Sequence, residues 1–356
     1  MKAFDEIFID ETKYGVKVQT SEYRDCGKYV IIDQGQNQIA GYTDREEGVF
    51  EHVPVIIFGD HTRIIKYIDE PFFLGADGVK VLSCKDNNAN YKYLYYALKN
   101  AKIPDTGYNR HFKWLRKICI KYPDVDRQKE IVIVLDMMSD IIKKRKKEIK
   151  YLDDLIKARF VEMFGDPILN PNGYLKEKIE KHIDLLSGYP FKSEQYVEEG
   201  INICGGLIIM PQKIKWNECV HWSSAEGFED YLLNENDIVM ALDRPWISEG
   251  FKMAKVDAEH LPALLIQRTA RIRTIDMNQE YLYYCFINGG FDKHSNVTGS
   301  LVPHISAKDI RSFEIMIPPA ELQNQFADFV NQVDKLKLLS LILCIHIPYF
   351  CSKCYD

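Results

Sequence analysis

The side chains best suited to chemistry lie in polar loops that follow the two most apolar predicted strands. The strand predicted at residues 53–58 runs into the loop 59–63, and the strand predicted at residues 237–243 runs into the loop 244–248. Loops carried on a rigid sheet are common sites for binding groups. Arginine and lysine can hydrogen-bond to guanine, and asparagine or glutamine to adenine. The residue types in these loops therefore suit contact with the edges of nucleic-acid bases.

Candidate binding residues of this kind occur in both halves of the chain. Those of the first half are His61, Thr62, Arg63, Tyr108, Asn109, Arg110 and Lys113. Those of the second half are Arg244, Trp246, Ser248, Arg268, Arg271, Ser300 and His304. The alternative for each is a solvated loop residue with local turn hydrogen bonds. Phosphate contacts govern affinity and base contacts govern specificity, so mutation should separate the two roles.

Motifs for catalysis are missing from the sequence. It contains no Gly-x4-Gly-Lys-Ser/Thr phosphate loop, no His-Glu-x2-His zinc pair and no Gly-x-Gly-x2-Gly nucleotide turn. The stretch Asn170-Pro171-Asn172-Gly173-Tyr174 approaches an adenine methyltransferase signature but lacks its second proline, and we interpret it as a turn. The sequence therefore predicts a protein that is not an enzyme and has no metal site.

Two sequence motifs each occur twice along the chain. Tyr93-Leu-Tyr-Tyr-Ala-Leu-Lys-Asn100 returns as Tyr281-Leu-Tyr-Tyr-Cys-Phe-Ile-Asn288, an offset of 281 − 93 = 188 residues. Pro123-Asp-Val-Asp-Arg-Gln128 returns as Pro318-Pro-Ala-Glu-Leu-Gln323, an offset of 323 − 128 = 195. The repeat is about half the chain, far longer than the roughly 20 to 50 residues of a solenoid unit. It predicts two duplicated domains, each followed by a helix.

Hydrophobic spacing defines the elements that carry these residues. Short β-type runs separated by glycines fill the start of each half, which predicts mixed sheets. Residues 127–164 instead have apolar positions in alternating steps of three and four, as in a helix on the order of 55 Å long. Its apolar stripe needs a partner, and the helical pattern that begins at Pro319 supplies one. The predicted fold class is α+β, with two duplicated mixed α/β domains separated by long helices that form an antiparallel coiled coil.

Composition and charge narrow the functional classes. The 356 residues are enough for two domains, and the hydrophobic share of 46% is ordinary for a folded protein. The net charge of −6 argues weakly against nucleic-acid binding, although basic runs occur at residues 113–117, 143–147 and 268–273. The first ten residues mix acids with apolar residues, unlike a secretory signal. We expect a cytoplasmic protein that does not bind a membrane.

Several short sequence motifs, in the order in which they occur, are similar to those of a known protein family. Residues 158–167, Ala-Arg-Phe-Val-Glu-Met-Phe-Gly-Asp-Pro, end the long predicted helix, and residues 187–196, Ser-Gly-Tyr-Pro-Phe-Lys-Ser-Glu-Gln-Tyr, follow it. In the first half, residues 39–43 and 58–63 read Ile-Ala-Gly-Tyr-Thr and Phe-Gly-Asp-His-Thr-Arg. Together they resemble the specificity subunit of type I restriction-modification systems. The resemblance extends from the start of the chain to about Lys335.

The resemblance implies a subunit without catalysis, whose two target-recognition domains each read one half of a split DNA sequence. The paired helices would then set the distance between the halves. It also implies that double-stranded DNA, two methyltransferase subunits and restriction or translocase subunits are partners. No cofactor is expected in this chain, because S-adenosylmethionine would be bound by the methyltransferase subunits.

The carboxyl end departs from that family. The predicted domains are 1–125 and 166–318, the predicted helices are 126–165 and 319–337, and the tail is 338–356. The apolar, cysteine-containing tail replaces an expected long charged helix, so the distal helix is predicted to be truncated. Cys344, His346, Cys351 and Cys354 resemble a zinc set, but the first pair is tightly spaced. Two alternatives stay open: an inactive truncated specificity subunit, and a two-domain interaction scaffold that does not bind DNA.

Overall fold

A computed structural model describes residues 1–75, 77–107, 109–295 and 304–354, with side chains as far as residue 341. The chain divides into two compact units. Unit 1 consists of Met1–Lys146 with Leu341–Asp356, and unit 2 consists of Lys147–Ser340. Each unit combines small sheets with helices, so the predicted duplication of a mixed α/β domain is confirmed.

Unit 1 is built on two small sheets. Its strands are β1 (Lys2–Ala3), β2 (Phe8–Asp10), β3 (Tyr29–Ile32), β4 (Gly41–Thr43), β5 (Val55–Gly59), β6 (Ile65–Ile68), β7 (Phe72–Leu74), β8 (Val79–Cys84) and β9 (Cys119–Ile120). Four form an antiparallel sheet in the order β2-β8-β5-β6. Three form a sheet in the order β4-β3-β7, in which β3 runs parallel to β7. All five residues of β5 are buried, as its unbroken apolar run predicts.

Unit 2 repeats this sheet plan with additional hairpins. Its strands are β10 (Lys176–Lys178), β11 (Ile183–Ser187), β12 (Ile201–Cys204), β13 (Ile209–Met210), β14 (Lys213–Ile214), β15 (Val220–Trp222), β16 (Ile238–Ala241), β17 (Trp246–Ile247), β18 (Gly250–Phe251), β19 (Met253–Lys255), β20 (Ala263–Leu265), β21 (Thr269–Thr274) and β22 (Glu314–Met316). The four-stranded antiparallel sheet has the order β11-β21-β16-β19, and the three-stranded sheet has the order β15-β12-β20. Here β12 runs parallel to β20, as β3 does to β7.

The helices include two long ones, each placed after the strands of one unit. They are α1 (Phe4–Ile7), α2 (Tyr91–Lys99), α3 (Phe112–Leu115), α4 (Val125–Phe164), α5 (Gln279–Asn288), α6 (Phe291–His294), α7 (Ala307–Arg311) and α8 (Ala320–Cys354). Within unit 1, Ile131 and Leu135 of α4 are buried in the same core as Leu94 of α2. The repeated tyrosine-containing motifs lie in α2 and α5, and the repeated motifs that begin with proline lead into α4 and α8.

The repeated tyrosines have the same role in each unit. The side chain of Asn90 caps α2 by accepting from the Tyr93 N–H at 3.1 Å, and that of Asn278 caps α5 by accepting from the Glu280 N–H at 2.9 Å. The Tyr93 hydroxyl donates to the carbonyl of Lys121 at 2.7 Å, and the Tyr281 hydroxyl donates to that of Met316 at 2.9 Å. Each tyrosine thereby ties its helix to the segment that leads into a long helix, directly after β9 in unit 1 and at the end of β22 in unit 2.

In unit 2 the two long helices pack antiparallel. The ring of Phe160 from α4 lies 5.4 Å from that of Phe326 in α8, and both side chains are fully buried. Further along, Asp153 of α4 forms an ion pair with Lys337 of α8 at 2.7 Å. Because residue numbers rise along one helix as they fall along the other, the predicted antiparallel pairing is observed here.

The distal helix is longer than the sequence predicts. We expected it to end near residue 337, but α8 continues as one helix to Cys354. Leucine favours a helix, and Leu338, Leu339 and Leu341 allow α8 to continue although the tail is not the long charged helix that was expected.

Membrane-spanning helices and metal-binding clusters are both absent from the described residues. Among them, no helix offers a stretch both long and apolar enough to cross a membrane. Within the same residues, no three His, Cys, Asp or Glu side chains are arranged to hold a metal ion. The side chains of Cys344, His346, Cys351 and Cys354 lie outside the described part of the chain.

Candidate nucleic-acid interface

In unit 1, the loop that joins β5 to β6 is held in one conformation by backbone hydrogen bonds. The Arg63 N–H donates to the Gly59 carbonyl at 2.7 Å, and the Gly59 N–H donates to the Ile64 carbonyl at 2.8 Å. Arg63 has a φ of 61°, which non-glycine residues rarely adopt. His61 is half-buried and Thr62 is exposed, so the predicted residues form an ordered polar loop at the end of a buried strand.

A second segment of unit 1, residues 109–113, is tied to this loop through Asp60. The Asp60 carboxylate accepts a hydrogen bond from the Phe112 N–H at 2.6 Å. The Asp60 carbonyl accepts from the His111 N–H at 2.8 Å, and the His111 side chain is fully buried. Asn109, Arg110 and Lys113 are exposed on either side of this anchor. The structure therefore brings together the candidates of the first half, except Tyr108, which lies outside the described residues.

Charged side chains in these two segments are partly paired. Arg63 donates from Nη2 to Asp105 at 2.6 Å and from Nη1 to the Ile103 carbonyl at 3.4 Å. A backbone hydrogen bond from Gly107 and the charge of Arg63 lower the pKa of the Asp105 carboxyl. A hydrogen bond from Lys17 lowers the pKa of the Asp77 carboxyl, and the positive charge of Arg110 adds a smaller lowering effect. This surface of unit 1 thus contains both cations and the carboxylates that orient them.

Gln34 organises the same surface and was missed by the sequence analysis. Its side chain accepts from the His61 N–H at 3.2 Å and donates to the Asp77 carbonyl at 2.9 Å. Its own carbonyl accepts from the Thr62 hydroxyl at 2.7 Å. The only sequence signal was the amide-rich loop 34–38, whose contact with residues 61–62 depends on the tertiary fold.

In unit 2, Asp243 is the centre of the candidate cluster. One carboxylate oxygen, Oδ1, is 2.6 Å from His304 Nδ1, and the other, Oδ2, is 3.2 Å from Arg268 Nη1. Backbone hydrogen bonds hold the same chain segments together, since the Leu242 N–H donates to the Arg268 carbonyl at 3.0 Å and the Ile305 N–H donates to the Leu242 carbonyl at 2.8 Å. The structure thus brings Arg268 and His304 beside the loop that follows β16.

The remaining candidates near this loop lie on or directly before the hairpin of β17 and β18. Arg244 has a φ of 46° and is exposed, directly before the hairpin of β17 and β18. Trp246 stacks on Phe251 across that hairpin, with ring centroids 4.9 Å apart, and Ser248 at its tip donates to Glu249 at 2.7 Å. One face of the Trp246 ring therefore packs within the hairpin, while Arg244 is exposed directly before it.

Two candidates of the second half do not join this cluster. Arg271 lies in the centre of β21, is 5% exposed, and forms an ion pair with Asp184 on β11. Reaching DNA would require breaking that ion pair, in which only the Arg271 side chain is buried, and would leave the buried guanidinium without its carboxylate. Arg271 therefore links β21 to β11 within the sheet and is not part of the candidate surface. Ser300 lies outside the described residues.

Lys252 is a cation of this region that the sequence analysis did not single out. It is 8% exposed, and its Nζ donates to the Gly206 carbonyl. Burial and the nearby charge of Arg244 both lower the pKa of the Lys252 ammonium. Its position after the hairpin gave no sequence signal, because a lysine three residues after an exposed glutamate is typical of a solvated loop.

Comparison with known proteins adds independent evidence. The family model for the type I restriction modification DNA specificity domain matches residues 4–151 and again residues 188–341. The specificity subunit of the type I restriction enzyme EcoR124I/EcoR124II from Escherichia coli is 25% identical over 354 residues, which span 91% of this chain and 83% of that subunit. The EcoAI specificity subunit from Escherichia coli is 32% identical over 179 residues, 48% of this chain but only 29% of that subunit.

A solved structure supports the same fold. The S subunit of the type I restriction-modification system from M. genitalium is 16% identical, with a TM-score of 0.54 over 99% of this chain and 94% of that chain. At this identity the likeness concerns the fold alone. The two family matches cover most of the chain, and each falls almost entirely within one structural unit. The chain therefore belongs to the specificity subunits of type I restriction-modification systems, the non-catalytic subunits that recognise DNA in these complexes.

Proposed function

We propose that each unit of this chain reads one half of a split DNA sequence, and that α4 and α8 fix the distance between the halves. The observation that carries the proposal is the loop after the buried strand in each unit. After β5 it presents Arg63, and after β16 it presents Arg244, on sheets with the same strand order. Shared scaffolds with different loop residues are what two different half-sites require.

The candidate surfaces have the chemistry for both kinds of DNA contact. Exposed Arg110, Lys113 and Arg244 suit phosphates, which supply most of the affinity of DNA-binding proteins. Asn109 and the aspartate-paired Arg63 suit base edges, which supply the specificity. The proposed DNA-binding set is His61, Thr62, Arg63, Tyr108, Asn109, Arg110, Lys113, Arg244, Trp246, Ser248, Arg268, Ser300 and His304.

The proposed partners follow from the family and the charge of the chain. We propose that two methyltransferase subunits bind this chain in the cytoplasm, carry S-adenosylmethionine and methylate adenines, and that restriction subunits join the assembly. A net charge of −6 leaves part of the neutralisation of DNA phosphates to such partners. We expect tight DNA binding only in the complex.

The methylation pattern of the genome tests this proposal. The chain is expressed with the methyltransferase subunit of its own system in cells that lack adenine methylation, and methylated adenines are located by single-molecule sequencing. A split motif with two short halves and a fixed gap is the expected result. The matched variant Arg63→Ala should change the preferred first half and leave the second half unchanged.

Binding measurements separate the two alternative functions. A complex that holds DNA through about six phosphates should lose roughly 10³-fold or more in affinity between low and physiological salt. A scaffold that does not bind DNA would show neither the motif nor this salt dependence. An inactive subunit would fail to assemble with the methyltransferase subunit, which size-exclusion chromatography of the co-expressed proteins detects directly.

A further inference from the structure

Two of the candidate arginines are paired with aspartates, whereas a third is not. Arg63 Nη2 lies 2.6 Å from Asp105 Oδ2 in unit 1, and Arg268 Nη1 lies 3.2 Å from Asp243 Oδ2 in unit 2. Arg244 is exposed and has no carboxylate within ion-pair distance among the residues that the structure describes. The paired and unpaired arginines therefore differ in net charge and in freedom of movement.

The backbone of both paired arginines adds a second constraint. Arg63 has a φ of 61° and Arg268 a φ of 63°, in the left-handed region that non-glycine residues rarely occupy. The neighbouring backbone holds each in place, since the Arg63 N–H donates to the Gly59 carbonyl at 2.7 Å and the Arg268 carbonyl accepts from the Leu242 N–H at 3.0 Å. Arg244 has a similar backbone, with a φ of 46°, so the aspartate pairing and not the backbone distinguishes Arg63 and Arg268 from it.

A guanidinium held by a carboxylate suits a base better than a phosphate. The carboxylate neutralises the charge that attracts phosphates, yet it occupies only part of the five N–H donors of arginine. The donors that remain lie in a fixed plane, and two parallel N–H groups match O6 and N7 of guanine in the major groove. The unpaired charge of Arg244 has the opposite balance and suits a phosphate.

We propose that Arg63 and Arg268 each contact a guanine, one in each half-site, and that Asp105 and Asp243 are positioning residues that orient them. This inference rests on the proposed function, because it assigns roles within the same DNA-binding surfaces. Asp243 also holds His304 at 2.6 Å through its other oxygen, so it orients two candidate groups of unit 2 at once.

The test uses the complex of this chain with its methyltransferase subunits, on duplexes that carry the wild-type split motif. Each guanine of the motif is replaced in turn by 7-deazaguanine, which lacks the N7 acceptor, and methylation rates are compared under competition. The variants are Asp105→Asn, Asp243→Asn, Arg63→Lys and Asp5→Asn. Asp5 forms an exposed pair with Arg116 outside the candidate loops, so its replacement controls for the loss of one negative charge.

In the wild-type complex, one guanine of each half-site should show a loss of about tenfold on replacement. Asp105→Asn should abolish this sensitivity in the first half-site only, and Asp243→Asn in the second only. Arg63→Lys keeps the charge but lacks the planar fork, so it should behave like Asp105→Asn. Asp5→Asn should match the wild type at every guanine.

Two outcomes would overturn the inference while leaving the proposed function intact. One is a half-site in which 7-deazaguanine has no effect on the wild-type complex at any position. The other is unchanged guanine sensitivity in both aspartate variants, which would make the pairs supports of the loops alone. Thermal unfolding of each variant confirms that the compared complexes are folded. If the wild-type complex methylates no split motif, the proposed function itself fails.

Discussion

The side-chain oxygen of Gln128 accepts a hydrogen bond from the backbone N–H of Asn90 at 3.1 Å, and Gln323 repeats this contact with Asn278 at 3.0 Å. Each glutamine also donates from Nε2 to the carbonyl of the proline five residues before it, at 2.9 Å in both units. Both side chains are almost completely buried. The first turn of each long helix is thereby joined to the N-cap residue of α2 in unit 1 and of α5 in unit 2, so one contact explains both repeated sequence motifs.

Replacing either glutamine should destabilise its own unit. Gln128→Ala leaves the half-buried Asn90 N–H and Pro123 carbonyl without these partners, which should lower the free energy of unfolding by about 1 to 2 kcal/mol. Gln323→Ala should have a similar effect on unit 2. Urea denaturation measures both, with the exposed Gln36→Ala as control. Equal stability of Gln128→Ala and Gln36→Ala would mean that the joint contributes nothing.

The antiparallel helices of unit 2 depend on a buried aromatic cluster. Phe160 contacts Phe164, Phe326 and Tyr281, with ring centroids 5.0 to 5.8 Å apart. Phe160→Ala should lower the free energy of unfolding of unit 2 by about 3 to 5 kcal/mol, because a large cavity remains in the core. The adjacent Val161 is 47% exposed, so Val161→Ala should change it by less than about 1 kcal/mol. Denaturation of the two variants side by side distinguishes the buried face from the exposed one.

Arg244 should contribute to affinity without contributing to sequence preference. Its guanidinium is exposed and carries a full charge, so Arg244→Ala in the complex should weaken binding to all DNA sequences by a similar factor. The slope of log affinity against log salt should fall by about 1. Binding titrations at several salt concentrations on cognate and unrelated duplexes provide the measurement. A selective loss on the cognate duplex would assign Arg244 to base contact instead.

Asp136 on α4 should make the stability of unit 1 depend on acid pH. Burial raises the pKa of its carboxyl, but hydrogen bonds from Lys92 at 2.8 Å and Tyr96 at 2.7 Å outweigh burial and hold the pKa below its ordinary 3.8. The unfolded chain therefore binds this proton more tightly than the folded chain. The stabilisation should be complete above about pH 5 and decline as the pH falls below about 4.

The variant Asp136→Asn isolates this contribution. It should be less stable than the wild type at pH 6, and the difference should shrink as the pH is lowered towards 3. Asp154→Asn, at an exposed position of the same helix, should follow the wild type throughout. Urea denaturation at a series of pH values gives both curves, and a difference that is independent of pH would contradict the assignment.

Much of the fold could be predicted because it is recorded in local patterns. The α4 helix was expected at about residues 127–164 and is found at Val125–Phe164, since a three- and four-residue apolar spacing has no other regular solution. The buried strands β5 and β16 were equally clear. The length of α8 was not predicted, because an apolar segment without a seven-residue repeat still forms a helix when its residues favour one.

The candidate site was predictable only in part. The loops after β5 and β16 were found from their position, but Asp105 and Asp243 were not, since their pairing with Arg63 and Arg268 joins residues distant in sequence. Arg271 was predicted to contact DNA, although polar and apolar residues alternate strictly along β21 and this alternation indicates which sheet face Arg271 occupies. In that strand Ala270 and Ile272 face the core, so a neighbouring arginine must lie on the opposite face of the sheet, where Asp184 pairs with it.

The α4 helix has no glycine or proline between Val125 and Phe164, so it cannot absorb a change in length by bending. One inserted residue would advance everything beyond it by about 1.5 Å and rotate it by roughly 100°. Seven inserted residues would advance it by about 10 Å, the rise of roughly three base pairs, and nearly restore the original angle. Single-residue insertions into α4 should therefore be tolerated far less than insertions of seven residues.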